Sequence, residues 1–414
     1  SDEVFMAHSS RRPEVLIFEG EAKAVLPAAE SFARQGFRVV VGSSQRYCFG
    51  FHSRFCRERI VMPDQRHAPD KCVGFLLDLV RRRRFEMILP LGDEATELVC
   101  RHRDEFMKYT KLVLVPHDTF IIGRDKVRTM QAAEACGVPI PRTFDPEQTG
   151  LDEIASAVQY PVLVKPAFSN GARGIHYAHS RQEMTSLYHQ VAAEFGRTFI
   201  QEFIPHTGLQ YKTELLLDYD GRVLAAFAYE KIRFYPPSAG SSTLNRSIYY
   251  PEMVEHSIRL ARGIGWFGMC DFDWIHDTRD KRPKLMEINP RVTDTIRIAD
   301  YCGVDFFKML YQMACGEKVE PVLTYRTGLY VRFLPGELMW FLTAGPKRWH
   351  TKPSFLKFFG RDVKYLVTSL SDPGPILAYF AGCMRTLLDP RERAYRLRLG
   401  KAKPEHTDMV AAHA

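Results

Sequence analysis

Short apolar runs rich in β-branched residues alternate with helix-period stretches over about the first 120 residues, and that alternation leaves few folds open. "EVLIFEG" (14–20), "FRVVVGSS" (37–44), "RIVMPD" (59–64), "EMILPLGD" (86–93) and "KLVLVP" (111–116) predict strands. "EAKAVLPAAESFARQG", "APDKCVGFLLDLVRRRR" and "EATELVCRHRDEFMKY" predict the helices between them. Strands separated by helices cannot pair as hairpins. They pair in parallel, under helices on both faces, as a doubly wound α/β domain. The first turn carries Gly20 and no GxGxxG, which argues against a dinucleotide site there.

"GRDKVRTMQAAEACGVPIPRTF" (123–144) changes character, as a helix closed by Gly137 and followed by a Pro-rich extended piece. The first boundary falls here, giving an N-terminal domain over residues 1–122. From residue 161 to about 290 strands dominate, an α+β pattern. Residues 325–414 form a C-terminal extension whose role the sequence leaves open: completing a substrate pocket, a homodimer contact, or seating on a membrane surface.

Composition narrows the partners. Of the 414 residues, 45% are hydrophobic and 26% charged, which excludes a disordered chain. The net charge of +8 is spread along the sequence. Arg81–Arg84 follows "FLLDLV" as a helix end and has no interleaved aromatics, so no nucleic-acid partner is expected. Nine cysteines show no CxxC and no spacing to histidines, which predicts neither a zinc site nor a disulfide framework and points to a reducing compartment. "SDEVFMAHSSRRPEV" lacks the apolar core of a signal peptide, and "PILAYFAGCMRTLL" is too short to span a bilayer. The expectation is a cytoplasmic protein without a transmembrane segment.

Three stretches carry chemistry. In "KLMEINPR" (284–291) Glu287, Asn289 and Arg291 alternate, so in a strand a carboxylate, an amide and a guanidinium share one face. "GMCDFDWI" (268–275) adds Asp271, with Asp273 on the same face as its substitute. Two carboxylates and an amide carbonyl suit Mg²⁺, which takes hard oxygen ligands and shares its sphere with phosphates. Solvent exposure would satisfy the same side chains. "YPVLVKPAFSNGARGI" (160–175) delivers Lys165 from a strand into a loop with Gly171 and Gly174. That arrangement holds phosphates or simply turns the chain. "TFIQEFIP" (198–205) offers an apolar slot with Gln201, Glu202 and the Ile204 backbone for a purine, or an ordinary edge strand.

In this order the pieces resemble the ATP-grasp superfamily, in its carboxylate–amine ligase and carbamoyl-phosphate-synthase-like branch. The resemblance runs over about residues 14–320 and is sharpest in "DKVRTMQAAEACGVPIPRTF", "PVLVKPAFSNGARGI" and "DFDWI…KLMEINPRV". It implies an N-terminal Rossmann-like domain, two α+β lobes clasping ATP, the small lobe over 123–205 and the large lobe over 206–324, and Mg²⁺ (Mn²⁺ as the substitute ion). It assigns Lys126 and Lys165 to the ATP phosphates and residues 169–174, with Ser169, Gly171 and Gly174, to the lid. Gln201, Glu202 and Ile204 become the adenine hinge, and Asp271, Glu287 and Asn289 the metal ligands. Arg291, with Lys165, becomes the catalytic residue that steadies the transferred phosphate. Relatives often carry Glu in a "GxEY" segment that holds ribose, where this chain reads "GLQY" with Gln210.

The implied reaction is an amide-forming ligation. A carboxylate attacks the γ-phosphate to form an acyl phosphate, an amine displaces phosphate, and ADP and phosphate leave. The acid is an amino acid, a peptide or a sugar acid. A bicarbonate-using carboxylase or carbamoyl-phosphate-type enzyme is the alternative, and a non-catalytic nucleotide-binding module the third. For the substrate, Arg233, Ser241, Ser242 and Arg246 lie around a Pro/Gly/Ser loop, and Thr293 and Arg297 just past the metal strand. The two loop arginines meet carboxylates there or solvent.

Overall fold

A computed structural model describes residues 12–169, 173–236 and 240–388. The strands are β1 (Glu14–Phe18), β2 (Arg38–Ser43), β3 (Cys56–Val61), β4 (Met87–Pro90), β5 (Thr143–Phe144), β6 (Val162–Pro166), β7 (His176–Ala178) and β8 (Thr198–Glu202). They continue with β9 (Gln210–Leu217), β10 (Val223–Tyr235), β11 (Ser241–Ile248), β12 (Gly268–His276), β13 (Pro283–Asn289), β14 (Tyr330–Arg332) and β15 (Val363–Tyr365).

The N-terminal sheet is parallel, in the order β3-β2-β1-β4. Its central strands are buried on both faces, as their unbroken apolar runs require. The run at 111–116 was expected as a fifth strand. It is reduced to one bridge, Met87 to Lys111. Side chains take its carbonyls instead: Arg103 donates to the Leu114 oxygen at 2.7 Å and Cys100 to that of Val115 at 3.2 Å. Leu112, Val113 and Val115 meanwhile bury into three separate cores.

The small lobe is an antiparallel sheet, β5-β8-β6-β7, backed by the helix Arg181–Phe195. The third sheet has seven strands, β13-β12-β9-β10-β11-β14-β15. It runs across the boundary expected at residue 324, because β14 pairs with β11 and β15 with β14. One apolar core joins the N-terminal sheet, this large sheet and the helix Phe306–Ala314. The N-terminal domain therefore closes over the large lobe. Among the described residues no helix is long and apolar enough to cross a membrane.

Candidate active site

The register of the large sheet brings its polar residues together. Across β13, β12, β9 and β10, Glu287 stands opposite Asp273, Asp273 opposite Lys212, and Lys212 opposite Tyr229. The next row runs Asn289, Asp271, Glu214. Cross-strand partners project to the same face, so these two rows make one polar floor.

Lysines and amides tie the floor together. Lys212 Nζ donates to Asp271 Oδ1 at 2.7 Å and lies 3.2 Å from Asp273 Oδ2. Lys231 donates to the other oxygen of Asp273. Asn289 Nδ2 donates to Asp271 at 2.7 Å and Asp273 at 2.9 Å, while its Oδ1 accepts from Arg291 at 3.3 Å. Burial pushes the Asp273 carboxyl up, but Lys212 and Lys231 outweigh it and hold the group below the usual carboxylate range. Burial raises Asp271 above its ordinary value against the pull of Lys212 and Arg291. Glu214 is raised well above its own, by burial and then by Asp271.

The two phosphate-lysine candidates reach this floor from outside the sheet. Asp125 caps the helix Lys126–Ala135, accepting from Val127 N at 2.9 Å and Arg128 N at 3.3 Å. That cap places Lys126 at the first helical position. Its Nζ lies 3.2 Å from Glu287 Oε2 and donates to the Ser169 carbonyl at 2.7 Å. Lys165, buried on β6, donates to Gln201 Oε1 at 3.0 Å. Burial lowers its ammonium to about 8, with Glu287 opposing. Gly174 adopts φ +75°, and a Cβ there would stand 2.8 Å from the Phe195 ring, so the loop's return needs glycine. Gly171 lies outside the described residues.

Arg291 extends from the end of β13 and is gripped by Asp93 Oδ1 at 3.1 Å, with Asp271 Oδ2 at 3.8 Å. The N-terminal domain thus orients the candidate catalytic arginine. At the hinge, Gln201 Nε2 donates to Thr143 at 2.9 Å and Ile204 is buried. Glu202 faces Arg279 at 2.5 Å and accepts from Arg142 N at 3.2 Å, so its side chain is committed to structure. Gln210 is half-buried opposite Lys231 and Ile275.

The donor set fits a hard cation. Asp271 Oδ2 is buried without a hydrogen-bond partner, as are both oxygens of Glu214. Lys126 supplies the cationic balance that Glu287 has. Asn289 needs only a rotation of its terminal amide to turn its oxygen to an ion. Among the described residues no three His, Cys, Asp or Glu side chains form a metal cage. An open site of carboxylates completed by an amide and phosphate oxygens is the Mg²⁺ pattern. The register favours Asp273 over Asp271 as the partner of Glu287. Asp273 is its cross-strand neighbour, whereas Asp271 lies one row deeper, 1% exposed, under Lys212 and Asn289.

Several substrate candidates fall elsewhere. Arg246 pairs with Glu230 at 2.5 Å, and the register puts both on the face opposite Lys212 and Asp273. Arg233 is re-aimed by a bulge in β10 and buried against Glu337 at 2.7 Å. Arg297 is spent on Glu30 at 2.5 Å, joining the helix after β13 to the N-terminal domain. These arginines hold structure because each has a carboxylate committed to it. Ser241 is exposed and Ser242 half-buried at the start of β11. Thr293 is buried and lies 3.2 Å from Thr295, whose hydroxyl meets Tyr229.

Reasoning from sequence missed Lys212, Glu214, Lys231 and Asp93. A signal existed for the first two: "YKTELLL" sets a lysine and a glutamate on one face of an otherwise apolar strand. No local signal marked Asp93, which only tertiary packing brings to Arg291.

Residues 125–322 match the family model described as carbamoyl-phosphate synthase L chain, ATP-binding domain. The carbamoyl phosphate synthase large chain of Thermoanaerobacter pseudethanolicus is 23% identical over 361 residues, which is 82% of this chain and 33% of that protein. The chain therefore spans about a third of that relative's length. Among solved structures, the biotin carboxylase domain of Hydrogenobacter thermophilus 2-oxoglutarate carboxylase, in complex with MgADP, ADP and bicarbonate, is 18% identical with a TM-score of 0.63. That match covers 78% of this chain and 74% of the other. An L-amino acid ligase from Bacillus licheniformis is 15% identical with a TM-score of 0.56, covering 78% and 79%. The chain therefore has the ATP-grasp fold of these structures, and residues 125–322 are similar to the ATP-binding domain of carbamoyl-phosphate synthase L chains.

Proposed function

We propose that the protein is an ATP- and Mg²⁺-dependent ligase that activates a carboxylate as an acyl phosphate and couples it to an amine, releasing ADP and phosphate. The observation that carries this reading is the convergence on one floor of Asp273, Glu287 and Asn289 with Lys126 and Arg291. Phosphoryl transfer asks a protein chiefly for positioning and charge neutralisation, and this constellation supplies both.

Asp273, Glu287 and Asn289 would hold the ion, with Mn²⁺ as the substitute. When bound, Mg²⁺ would supply positive charge against the charge that develops on the phosphates. Lys126 and Lys165 hold the phosphate tail from the small-lobe side. Arg291, fixed by Asp93, steadies the group in transfer. The loop at 169–174 closes over the phosphates and keeps water from the acyl phosphate. The hinge Gln201–Ile204 receives adenine, and Gln210 reaches the ribose. The acid is a small molecule, a sugar acid or a peptide.

A second reading takes bicarbonate as the acid, favoured by the carboxylase and carbamoyl-phosphate synthase relatives. Phosphate release measured over candidate acid–amine pairs, with and without Mg²⁺, separates the two. Release that needs an organic acid and Mg²⁺ supports the ligase. Release that needs only bicarbonate supports the second reading, and ATP binding without turnover on any pair removes both.

A further inference from the structure

The C-terminal region carries a surface that catalysis does not use. The helix Leu334–Thr343 has a single charged side chain, Glu337, and that one is fully buried. Its exposed side chains are Leu338, Met339 and Leu342, with Thr343 at the end, whose hydroxyl is turned back to the Met339 and Trp340 carbonyls. A helix apolar on all sides normally has both sides covered.

The segment after this helix widens the patch. Trp349 is 59% exposed, Leu356 62% and Phe359 89%. Trp349 and the residues that precede Leu356 and Phe359 share one aromatic stack. Phe341 packs on Trp349 at 5.0 Å and on Phe355 at 4.2 Å between ring centres, and Phe355 packs on Phe358 at 5.3 Å. Scattered exposed apolar side chains are ordinary, but six of them on one helix and the segment that packs on it mark an interaction surface.

Its charge selects the occupant. Residues 345–364 carry Lys347, Arg348, Lys352, Lys357, Arg361 and Lys364 against one acid, Asp362. Lys357 already pairs with that acid. Lys352, Arg361 and Lys364 are exposed, and Arg348 lies over the Phe341 and Trp349 rings at 5.1 and 5.5 Å. A two-fold contact with a second copy would set this basic surface against itself. The chain beyond residue 388 sets Arg391, Arg393, Arg396, Arg398, Lys401 and Lys403 against Asp389, Glu392, Glu405 and Asp408, so it is net basic too and suits the patch no better.

We propose that this face docks on an anionic membrane surface, with Trp349, Leu356 and Phe359 entering the interface and Lys352 and Arg361 meeting lipid headgroups. Exposed aromatic and aliphatic groups beside lysine and arginine are the chemistry of interfacial anchoring. Attraction to acidic headgroups strengthens the binding and makes it salt-sensitive.

The test is co-sedimentation of the purified full chain with phosphatidylcholine vesicles, with and without phosphatidylserine, at low and high salt. Binding to the phosphatidylserine vesicles, weakened by salt, is expected. Trp349→Ser/Phe359→Ser should lower partitioning by about tenfold or more, and Lys352→Glu/Arg361→Glu should abolish the preference for acidic lipid. Thermal melting of each variant confirms that it is folded. Leu377→Ser/Phe380→Ser, on the exposed stripe of the helix Gly374–Leu388, should leave partitioning unchanged. The proposal falls if the parent chain ignores vesicles of both kinds or if the Trp349/Phe359 variant binds as well as the parent. It also falls if that variant instead turns a dimer into a monomer.

Discussion

The large sheet holds two buried ion clusters, and they are built differently. Around Glu337 both carboxylate oxygens are engaged, and Arg233 Nε alone among the cluster's polar atoms is buried without a hydrogen-bond partner. Its carboxylate accepts from Arg233 at 2.7 Å, from Arg332 at 3.0 and 3.2 Å, and from Thr243 at 2.9 Å. The guanidinium of Arg332 then donates to the carbonyls of Phe355 and Lys357. The floor at Asp273 and Glu287 is open by comparison. Asp271 Oδ2 and both Glu214 oxygens are buried without a hydrogen-bond partner, with Arg291 3.8 Å from the first, and Lys126 reaches Glu287 from a different lobe. A closed cluster fixes geometry, because any group removed leaves another charge stranded. An open one has valence left for a ligand.

Removing one member from each cluster should break the molecule in different ways. Glu337→Ala strands Arg233 and Arg332 and should cost about 3–5 kcal/mol of stability. The fall in denaturant midpoint measures it, and an unchanged midpoint would mean the cluster is not structural. Glu287→Gln should instead leave the midpoint near that of the parent and lower turnover by about 10²–10³-fold, roughly 2.7–4 kcal/mol. Retained phosphate release with the true substrates would remove the metal assignment.

Within the open cluster, Asp273→Asn should weaken the Mg²⁺ requirement curve by about 10–100-fold, and Asp271→Asn by less. The reverse order would return the ligand role to Asp271. Smaller still is the effect of pH. Burial lowers the Lys165 ammonium to about 8, so it loses its charge, and its hold on phosphate, as pH rises through that value. The kcat/KM for ATP should fall across that window, and Lys165→Arg, which keeps its charge, should flatten the fall. The smallest change is expected of Arg246→Ala. Its partly exposed pair with Glu230 is worth at most about 1 kcal/mol, and substrate KM should not move.

How much of this was legible depended on periodicity. Glu287, Asn289 and Arg291 repeat every second residue in a strand, so their common face could be read without neighbours. Lys126 and Lys165 were named through the resemblance, and the geometry brings Lys126 to Glu287. The choice between Asp271 and Asp273 was not legible. Both project from the same face of β12, and only the pairing with β13 tells which one meets Glu287. Arg233 and Arg246 misled for a related reason. A basic residue in a polar loop looks the same whether its partner is a substrate or a glutamate from a distant segment, and Glu337 lies 104 residues from Arg233.

The sequence by itself determined the kinds of layer: a parallel sheet from helix-separated strands, antiparallel lobes after residue 123, and a carboxylate–amide–guanidinium face on β13. Those features follow from the fixed periods of strand and helix, which are local. Only the tertiary structure decided which acids stand together, that Asp93 holds Arg291, and that β14 and β15 extend the large sheet. Register and domain closure are set by packing between segments far apart in the chain, and no local period encodes them.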